Sequence, residues 1–345
     1  MSQTSRPSSA QLATDLAARA HWQPLEISFW LLAFALIWLL PNRHLILTEI
    51  AWLGLFALSL DLILGYAGII SLGHAAFFGF GAYAAALLAK HEIINEPVLA
   101  LLAAGAAAAL LGFATSFLVL RGSDLTRLMV SLGVALILRE LANQFSGLTG
   151  GADGLQGVTM QPILGLFRFD MFGHNGYVYS LAVLFLLFLL ARRLMASPFG
   201  LSLLAIKGNP LRARAIGIPV EARLVAIYTI AAFYAGVAGG LLAQTSAFVS
   251  LDVFSFDRSA DLLLVLIIGG AGYLYGGLIG AVVFKLMQDY LAMLTPQYWP
   301  FWIGLLLVAI VLVGRERMTE WTAPLRRLVA RLDWRVGRSA SGGLP

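Results

Sequence analysis

Cysteine is absent from this chain of 345 residues. That excludes a disulfide scaffold, thiolate catalysis, CxxC redox chemistry and Cys-based zinc or iron–sulfur sites. Charge is scarce too: Asp, Glu, Lys and Arg make up 12% of the residues while 60% are hydrophobic. A soluble globule carries about 25% charged residues, and it has no means of burying so many apolar side chains in short, closely spaced blocks. No G-x-x-x-x-G-K-[ST] run occurs, so the chain is not expected to hydrolyse ATP. No H-E-x-x-H occurs either, and five scattered histidines have no zinc spacing, so neither a metal site nor a bound cofactor is expected. The chain is not read as an enzyme.

What is present is a series of apolar blocks near 25–41, 45–65, 74–90, 98–120, 125–145, 177–195, 223–244 and 301–314, and a longer one at 261–291. Blocks of this length predict an all-α polytopic membrane protein with nine or ten transmembrane helices, some discontinuous. The 261–291 block is broken at Gly269-Gly270-Ala271-Gly272 and is one long span or two shorter ones. The stretch Ile27 to Leu40 runs into Pro41-Asn42-Arg43-His44 without a small-x-small cleavage site, and is read as a retained first span.

The net charge of +5 does not point to nucleic acid, because the charges sit between apolar blocks. Orientation follows from Lys and Arg. With a cytoplasmic amino terminus and two crossings in 261–291, the inner segments are 1–24, 66–73, 121–127, 192–223 and 315–345. They hold 17 of the 23 basic residues: Arg6, Arg19, Arg121, Arg127, Arg192, Arg193, Lys207, Arg212, Arg214, Arg223, Arg315, Arg317, Arg326, Arg327, Arg331, Arg335 and Arg338. Both termini are therefore expected in the cytoplasm. The division is an amino-terminal segment 1–24, a membrane domain 25–314 and an Arg-rich tail 315–345. In the tail, Trp321, Leu325, Leu328, Leu332 and Trp334 alternate with arginines as in an interfacial amphipathic helix facing membrane lipid, or a plain stop-transfer anchor.

The 35 glycines concentrate in two informative places. Gly65-Tyr66-Ala67-Gly68-Ile69-Ile70-Ser71-Leu72-Gly73-His74-Ala75-Ala76-Phe77-Phe78-Gly79-Phe80-Gly81-Ala82-Tyr83 joins two spans with almost no polar loop. Unwound backbone at membrane depth is tolerated only where protein buries it or it lines a cavity. Later, Gly272, Gly276 and Gly280 recur every four residues and present one helix face for close packing. One glycine-interrupted segment in each half is the pattern of transporters whose broken helices meet at a substrate path.

Intramembrane polar residues are costly and mark function or pairing. Asp61 falls within the second span, His74 opens the third, Arg139 and Glu140 fall deep in the fifth, and Lys285 and Asp289 form an i, i+4 pair that neutralises itself. His74 has several open roles: proton carrier, substrate contact, or helix cap or packing residue. The stretch Ser146 to Leu155, with Thr149, Gly150 and Gly151, reads as an outer turn whose amides face a ligand or simply solvent. The inner loop 196–223 is long enough for a short helix with Leu203, Leu204 and Ile206 on its apolar face, ending at Gly217-Ile218-Pro219. A permease driven by a separate ATPase needs such a projecting element.

Four stretches carry a resemblance. The run at 65–83, Leu148-Thr149-Gly150-Gly151-Ala152-Asp153-Gly154-Leu155, the loop from Phe199-Gly200 through Ala205-Ile206 and Asn209 to Gly217-Ile218, and Ile268-Gly269-Gly270-Ala271-Gly272 with Gly276 and Gly280-Ala281 are similar to LivM-type permeases. These are membrane subunits of branched-chain amino acid ABC importers, and the likeness spans about residues 45–315. It implies a coupling loop at 196–223, with Ala205, Ile206, Lys207, Asn209, Arg212 and Gly217 against an ATPase. It also implies a translocation path formed with Tyr66, Ser71, Gly73, His74, Gly79, Gly81, Thr149, Gly150, Gly151, Gly269 and Gly270. The implied partners are a second, LivH-type permease, two ATP-binding subunits that use the ATP, and an extracytoplasmic solute-binding protein, in a bacterial inner membrane. The implied substrates are branched-chain or other hydrophobic amino acids, with urea, short amides or aromatic acids as alternatives in the same class. Two departures stand out: Asp61 where a neutral polar residue is usual, and a proline in Gly208-Asn209-Pro210 that can end the coupling helix. An ion-coupled carrier using Asp61, His74 and Glu140 is the alternative from another class.

Overall fold

A computed structural model describes residues 24–163, 165–170 and 173–313. The Arg-rich tail 315–345, with the amphipathic helix or anchor expected in it, and the segment 1–23 lie outside the described residues. The elements are helical: α1 Pro24–Leu39, α2 His44–Asp61, α3 Ala75–Lys90, α4 Pro97–Val119, α5 Asp124–Gln144, α6 His174–Ala196, α7 Pro198–Gly208, α8 Pro210–Ala215, α9 Val220–Ser246, α10 Phe256–Gly269, α11 Leu274–Leu294 and α12 Trp299–Val313. Among the described residues only isolated bridges occur outside the helices, Leu155 with Val249 and Ile163 with Phe167. The all-α polytopic class is as expected from the sequence.

Among the described residues, five helical stretches are long and apolar enough to cross a membrane: His44–Tyr66, α4, α6, α9 and α11. The remaining apolar blocks form shorter or more polar helices: α3 and α10 have 16 and 14 residues, about 24 and 21 Å at the α-helical rise against a hydrocarbon core of about 30 Å, and α1 and α12 reach the limits of the described residues. Helix α5 has the length but carries Asp124, Arg127, Arg139 and Glu140. The 261–291 block resolves into two helices, α10 and α11, parted at residues 270–273.

The chain forms two compact units, residues 1–285 and 286–345. In the first, α9 is the central helix, packed against α4, α3 and α2, while α2 also packs on α6 and α10. Small residues make this possible. A Cβ at Gly81 of α3 would overlap the Gly236 carbonyl, and one at Gly236 would overlap the Ala108 side chain of α4. Without side chains at the crossing, the helix backbones come into direct van der Waals contact. Polar ties then fix register: Gln244 Nε2 donates to the Pro97 carbonyl at 2.8 Å, and the Tyr234 hydroxyl donates to the Leu187 carbonyl at 2.9 Å. Arg192 of α6 and Glu26 of α1 form a half-hidden ion pair at 2.6 Å, their side chains 13% and 14% exposed. In the second unit, the described residues are the last turns of α11 and helix α12.

Local chemistry sets the helix ends. Glu96 accepts from the Leu99 amide at 2.7 Å ahead of Pro97, and Ser255 accepts from the Arg258 amide at 3.3 Å. These are N-caps, satisfying donors that have no partner within the helix.

Gly236→Leu is expected to overpack the α3–α4–α9 crossing and lower stability by about 3 kcal/mol. Gly133→Ala in α5, where an added Cβ meets nothing within 4 Å, is expected to be neutral or mildly stabilising. Thermal unfolding of the two purified variants in detergent checks this, since equal melting temperatures would contradict the packing.

Candidate functional site

Helix α2 does not end in a polar loop. After Asp61 it widens into a π-turn, Leu62–Tyr66, and residues 67–74 then run without regular helix until α3 begins. Backbone groups released there lie deep in an apolar surrounding, where an unmade hydrogen bond is expensive. The second break, residues 270–273 between α10 and α11, raises the same problem; Gly270 and Gly272 take φ of 95° and 84°, a conformation open to glycine.

The two breaks meet. Asp61 is wholly buried, and its Oδ1 accepts from the Gly272 amide at 2.6 Å. A Cβ at Gly65 would lie 2.5 Å from the Gly272 nitrogen, so the missing side chain is what lets the two main chains touch. From the other side, Lys207 of α7 reaches in and donates through Nζ to the Gly65 carbonyl at 2.5 Å. The loop 196–223 is thereby bonded to the first break, and the first break to the second.

That loop folds as two short helices. Ser197 caps α7 by accepting from the Phe199 amide at 3.2 Å. Pro210 stops α7 at Gly208, as its missing N–H and ring demand, and opens α8, which Asn209 caps by accepting from the Arg212 amide at 3.0 Å. Leu203 and Ile206 are buried against the bundle, and the Arg223 guanidinium lies 5.2 Å from the Phe199 ring centre. Leu204, expected on the same apolar face, is 41% exposed instead, because that face is only wide enough for residues three apart. Ala205 and Arg212 are also exposed, and Gly217 turns the chain at φ 87° into α9.

His74 is buried beside the first break. Its Nε2 shares a hydrogen bond of 2.8 Å with the Ser59 hydroxyl, and its ring stacks on Phe56 with centroids 5.7 Å apart. His74 occupies the N-cap position of α3 without a side-chain cap bond; the Ala75 amide donates instead to the Ser259 hydroxyl of α10 at 3.1 Å. Ser131 of α5 accepts from the Leu72 amide at 3.2 Å. Lys207 apart, these partners, Ser59, Ser131 and Ser259, were not anticipated from sequence. A serine has no spacing signature, and its role comes from residues brought near it by folding.

The remaining nominated positions divide. Tyr66 borders a cavity of about 210 Å³ with Arg192 and Tyr273. Ser71 is buried without a hydrogen-bond partner for its hydroxyl. Gly73 and Gly79 are contact points against the Ser131 main chain and the Phe254 ring, and Gly269, Gly276 and Gly280 form a backbone-to-backbone seam between α10 and α11, whereas Gly272, expected on the same helix face, lies in the break before α11 and meets Gly65. Gly150 and Gly151 take φ of 79° and 56° in a turn that Thr149 closes by donating to the Ala142 and Phe145 carbonyls. Arg139 and Glu140 are both exposed on the outside of α5, where Glu140 accepts from Gln144 at 3.4 Å, while Asp61 and His74 are buried. Lys285 reaches across to Glu49 of α2 at 2.5 Å.

A second cavity, about 460 Å³, lies toward the other end of α2 and α9, with Glu49 and Arg258 among apolar Leu45, Trp52, Leu242, Phe248 and Val253. No group of three or more His, Asp or Glu suited to a metal ion occurs among the described residues.

Interrupted, closely packed apolar helices, several long enough to cross a bilayer, define a multi-pass membrane protein. Residues 42–311 match the family described as branched-chain amino acid transport system, permease component, and the chain belongs to that family. The high-affinity branched-chain amino acid transport system permease protein LivM of Escherichia coli K12 is 27% identical over 303 residues, 79% of this chain and 69% of that protein. The L-arabinose ABC transporter permease protein AraH of Azospirillum brasilense is 26% identical over 341 residues, 90% of this chain and 96% of that protein. A probable branched-chain amino acid transport permease protein LivH of Methanocaldococcus jannaschii is 30% identical over 128 residues, 35% of this chain and 38% of that protein. No solved structure matches the chain.

Removing the Asp61 acceptor should leave the Gly272 amide buried and unpaired. Asp61→Leu is expected to cost about 1–3 kcal/mol of stability, and Asp61→Asn, whose amide oxygen still accepts, distinctly less. Thermal unfolding of both variants checks the order; equal losses would remove the hydrogen bond from the account.

Proposed function

We propose that this chain is a permease subunit of an ATP-driven importer of branched-chain or other hydrophobic amino acids in a bacterial inner membrane. The observation that carries the reading is the Lys207 contact: a helix of the 196–223 loop is hydrogen-bonded to the main chain of one broken helix, which is bonded in turn to the other. An ATPase that docks on a cytoplasmic loop needs such a connection to move the membrane path. ATP binding would draw two ATP-binding subunits together and shift α7 and α8. Greater affinity of the ATP-bound subunits for one arrangement of the loop supplies the driving free energy.

The path is completed by a second, LivH-type permease, and substrate is delivered by an extracytoplasmic solute-binding protein. The cavity containing Glu49 and Arg258 suits the cargo: an amino acid brings one cation, one anion and, for this class, an apolar side chain that the apolar wall accommodates, and it would exchange with the Lys285 and Asp252 partners that Glu49 and Arg258 hold. On this reading, Ala205, Arg212 and the α8 surface face the ATPase, while Ile206 and Leu203 anchor the loop to the bundle.

The exposed Ala205 gives the sharpest test. In a reconstituted four-component transporter, Ala205→Glu is expected to leave the fold intact, retain ATP hydrolysis and cut leucine uptake at least about tenfold, from interference with docking by a buried charge. Uptake equal to the unaltered transporter would remove Ala205 from the docking surface. The purified single chain in vesicles is expected to show no uptake with or without ATP or a pH gradient; uptake that follows the pH gradient would overturn the proposed class.

A further inference from the structure

A cavity of about 850 Å³ opens at the end of the bundle that carries α7 and α8. Four cations line it, Arg121, Arg127, Lys207 and Arg214, against two carboxylates, Asp124 and Glu221. Asp124 is matched by Arg127 at 3.1 Å and Glu221 by Arg214 at 3.2 Å. Arg121 has no ion pair among the described residues, and Lys207 gives its hydrogen bond to a neutral carbonyl. The Arg127 Nε is buried with no hydrogen-bond partner. Helix α9, 27 residues long, begins at the same cavity with no side chain capping its first amides, so its positive end adds to the excess. The site is built for an anion.

Its wall shows what kind. Phe117 of α4 lines the cavity and touches Phe113 edge-on, with ring centroids 5.1 Å apart. Leu110, Phe113 and Phe117 recur at helical spacing and are 71%, 48% and 49% exposed, an apolar stripe running from the cavity along the outside of α4 toward the middle of the membrane. A cationic bowl continuous with an apolar stripe fits an amphiphile with its phosphate in the bowl and a chain on the stripe. Free phosphate or a nucleotide would have no use for the stripe.

We infer that this cavity binds an anionic glycerophospholipid of the facing leaflet, its phosphate held by Arg121 and Arg127 and an acyl chain laid on Leu110, Phe113 and Phe117. Basic pockets between membrane helices recognise such headgroups by this chemistry. The lipid would sit beside Lys207, next to its bond with Gly65.

Native mass spectrometry of the full-length purified chain tests this, with phosphatidylglycerol, phosphatidylcholine and inorganic phosphate as probes. Phosphatidylglycerol is expected to be retained at least about tenfold more tightly than phosphatidylcholine, and Arg121→Gln and Arg127→Gln each to reduce that preference about fivefold. Arg139→Gln, an exposed cation at the far end of α5, should leave it unchanged. Melting temperature in phosphatidylcholine reports folding; Arg121, exposed and unpaired, decides the matter alone if Arg127→Gln unfolds. An undiminished preference in Arg121→Gln would overturn the site. Displacement of phosphatidylglycerol by millimolar inorganic phosphate would overturn the lipid assignment in favour of a free-anion site.

Discussion

Backbone amides and carbonyls set free where a helix breaks inside an apolar surrounding must find partners, and this requirement organises the molecule. Each unmet group would cost about 1–3 kcal/mol, comparable with the whole penalty of placing a glycine in a helix, about 1 kcal/mol. The partners come from distant parts of the chain: Asp61 for the Gly272 amide, Lys207 for the Gly65 carbonyl, Ser131 for the Leu72 amide and Ser259 for the Ala75 amide. A break satisfied in this way is also a junction. α2, α5, α7 and α10 all deliver a side chain or amide to it, so displacement of one of them is felt by the others.

Glycine serves this arrangement in two separate ways. At Gly81 and Gly236, and along the α10–α11 seam, its value is what it lacks, because any Cβ would overlap a neighbouring backbone. At Gly270, Gly272 and Gly217 its value is conformational, since φ of 84–95° reverses the chain where a helix must stop. The first use makes the bundle around α9 tight; the second supplies the turns at the second break and at the end of the 196–223 loop.

Much of this was legible in the residues themselves. The apolar blocks predicted the helices, the Gly65–Gly81 run predicted an interruption, Gly269–Gly272 predicted the division of the late block, and Pro210 predicted the end of α7. Local signals set all of these. The connections between them were not legible, since Lys207 and Gly65 are 142 positions apart and Asp61 and Gly272 are 211 apart. Pairings at such separation depend on how helices pack. Arg139 and Glu140, adjacent on α5, are both exposed, whereas Asp61 and His74 are buried. Folding brings Glu49 of α2 within 2.5 Å of Lys285, a partner that no spacing announces. His74 opens a helix, and its ring turns inward to Ser59.

The central claim is that Lys207 ties the loop helix α7 to the broken segments. The chain contains no cysteine, so spin labels can be placed at two chosen positions alone, Ala205→Cys on α7 and Tyr273→Cys at the second break, both exposed. Pulsed electron–electron resonance on the assembled transporter then reads the distance between them. The account predicts one narrow distribution with Lys207 present and a clearly broadened or shifted one in Lys207→Met; an identical distribution in the two proteins would contradict it.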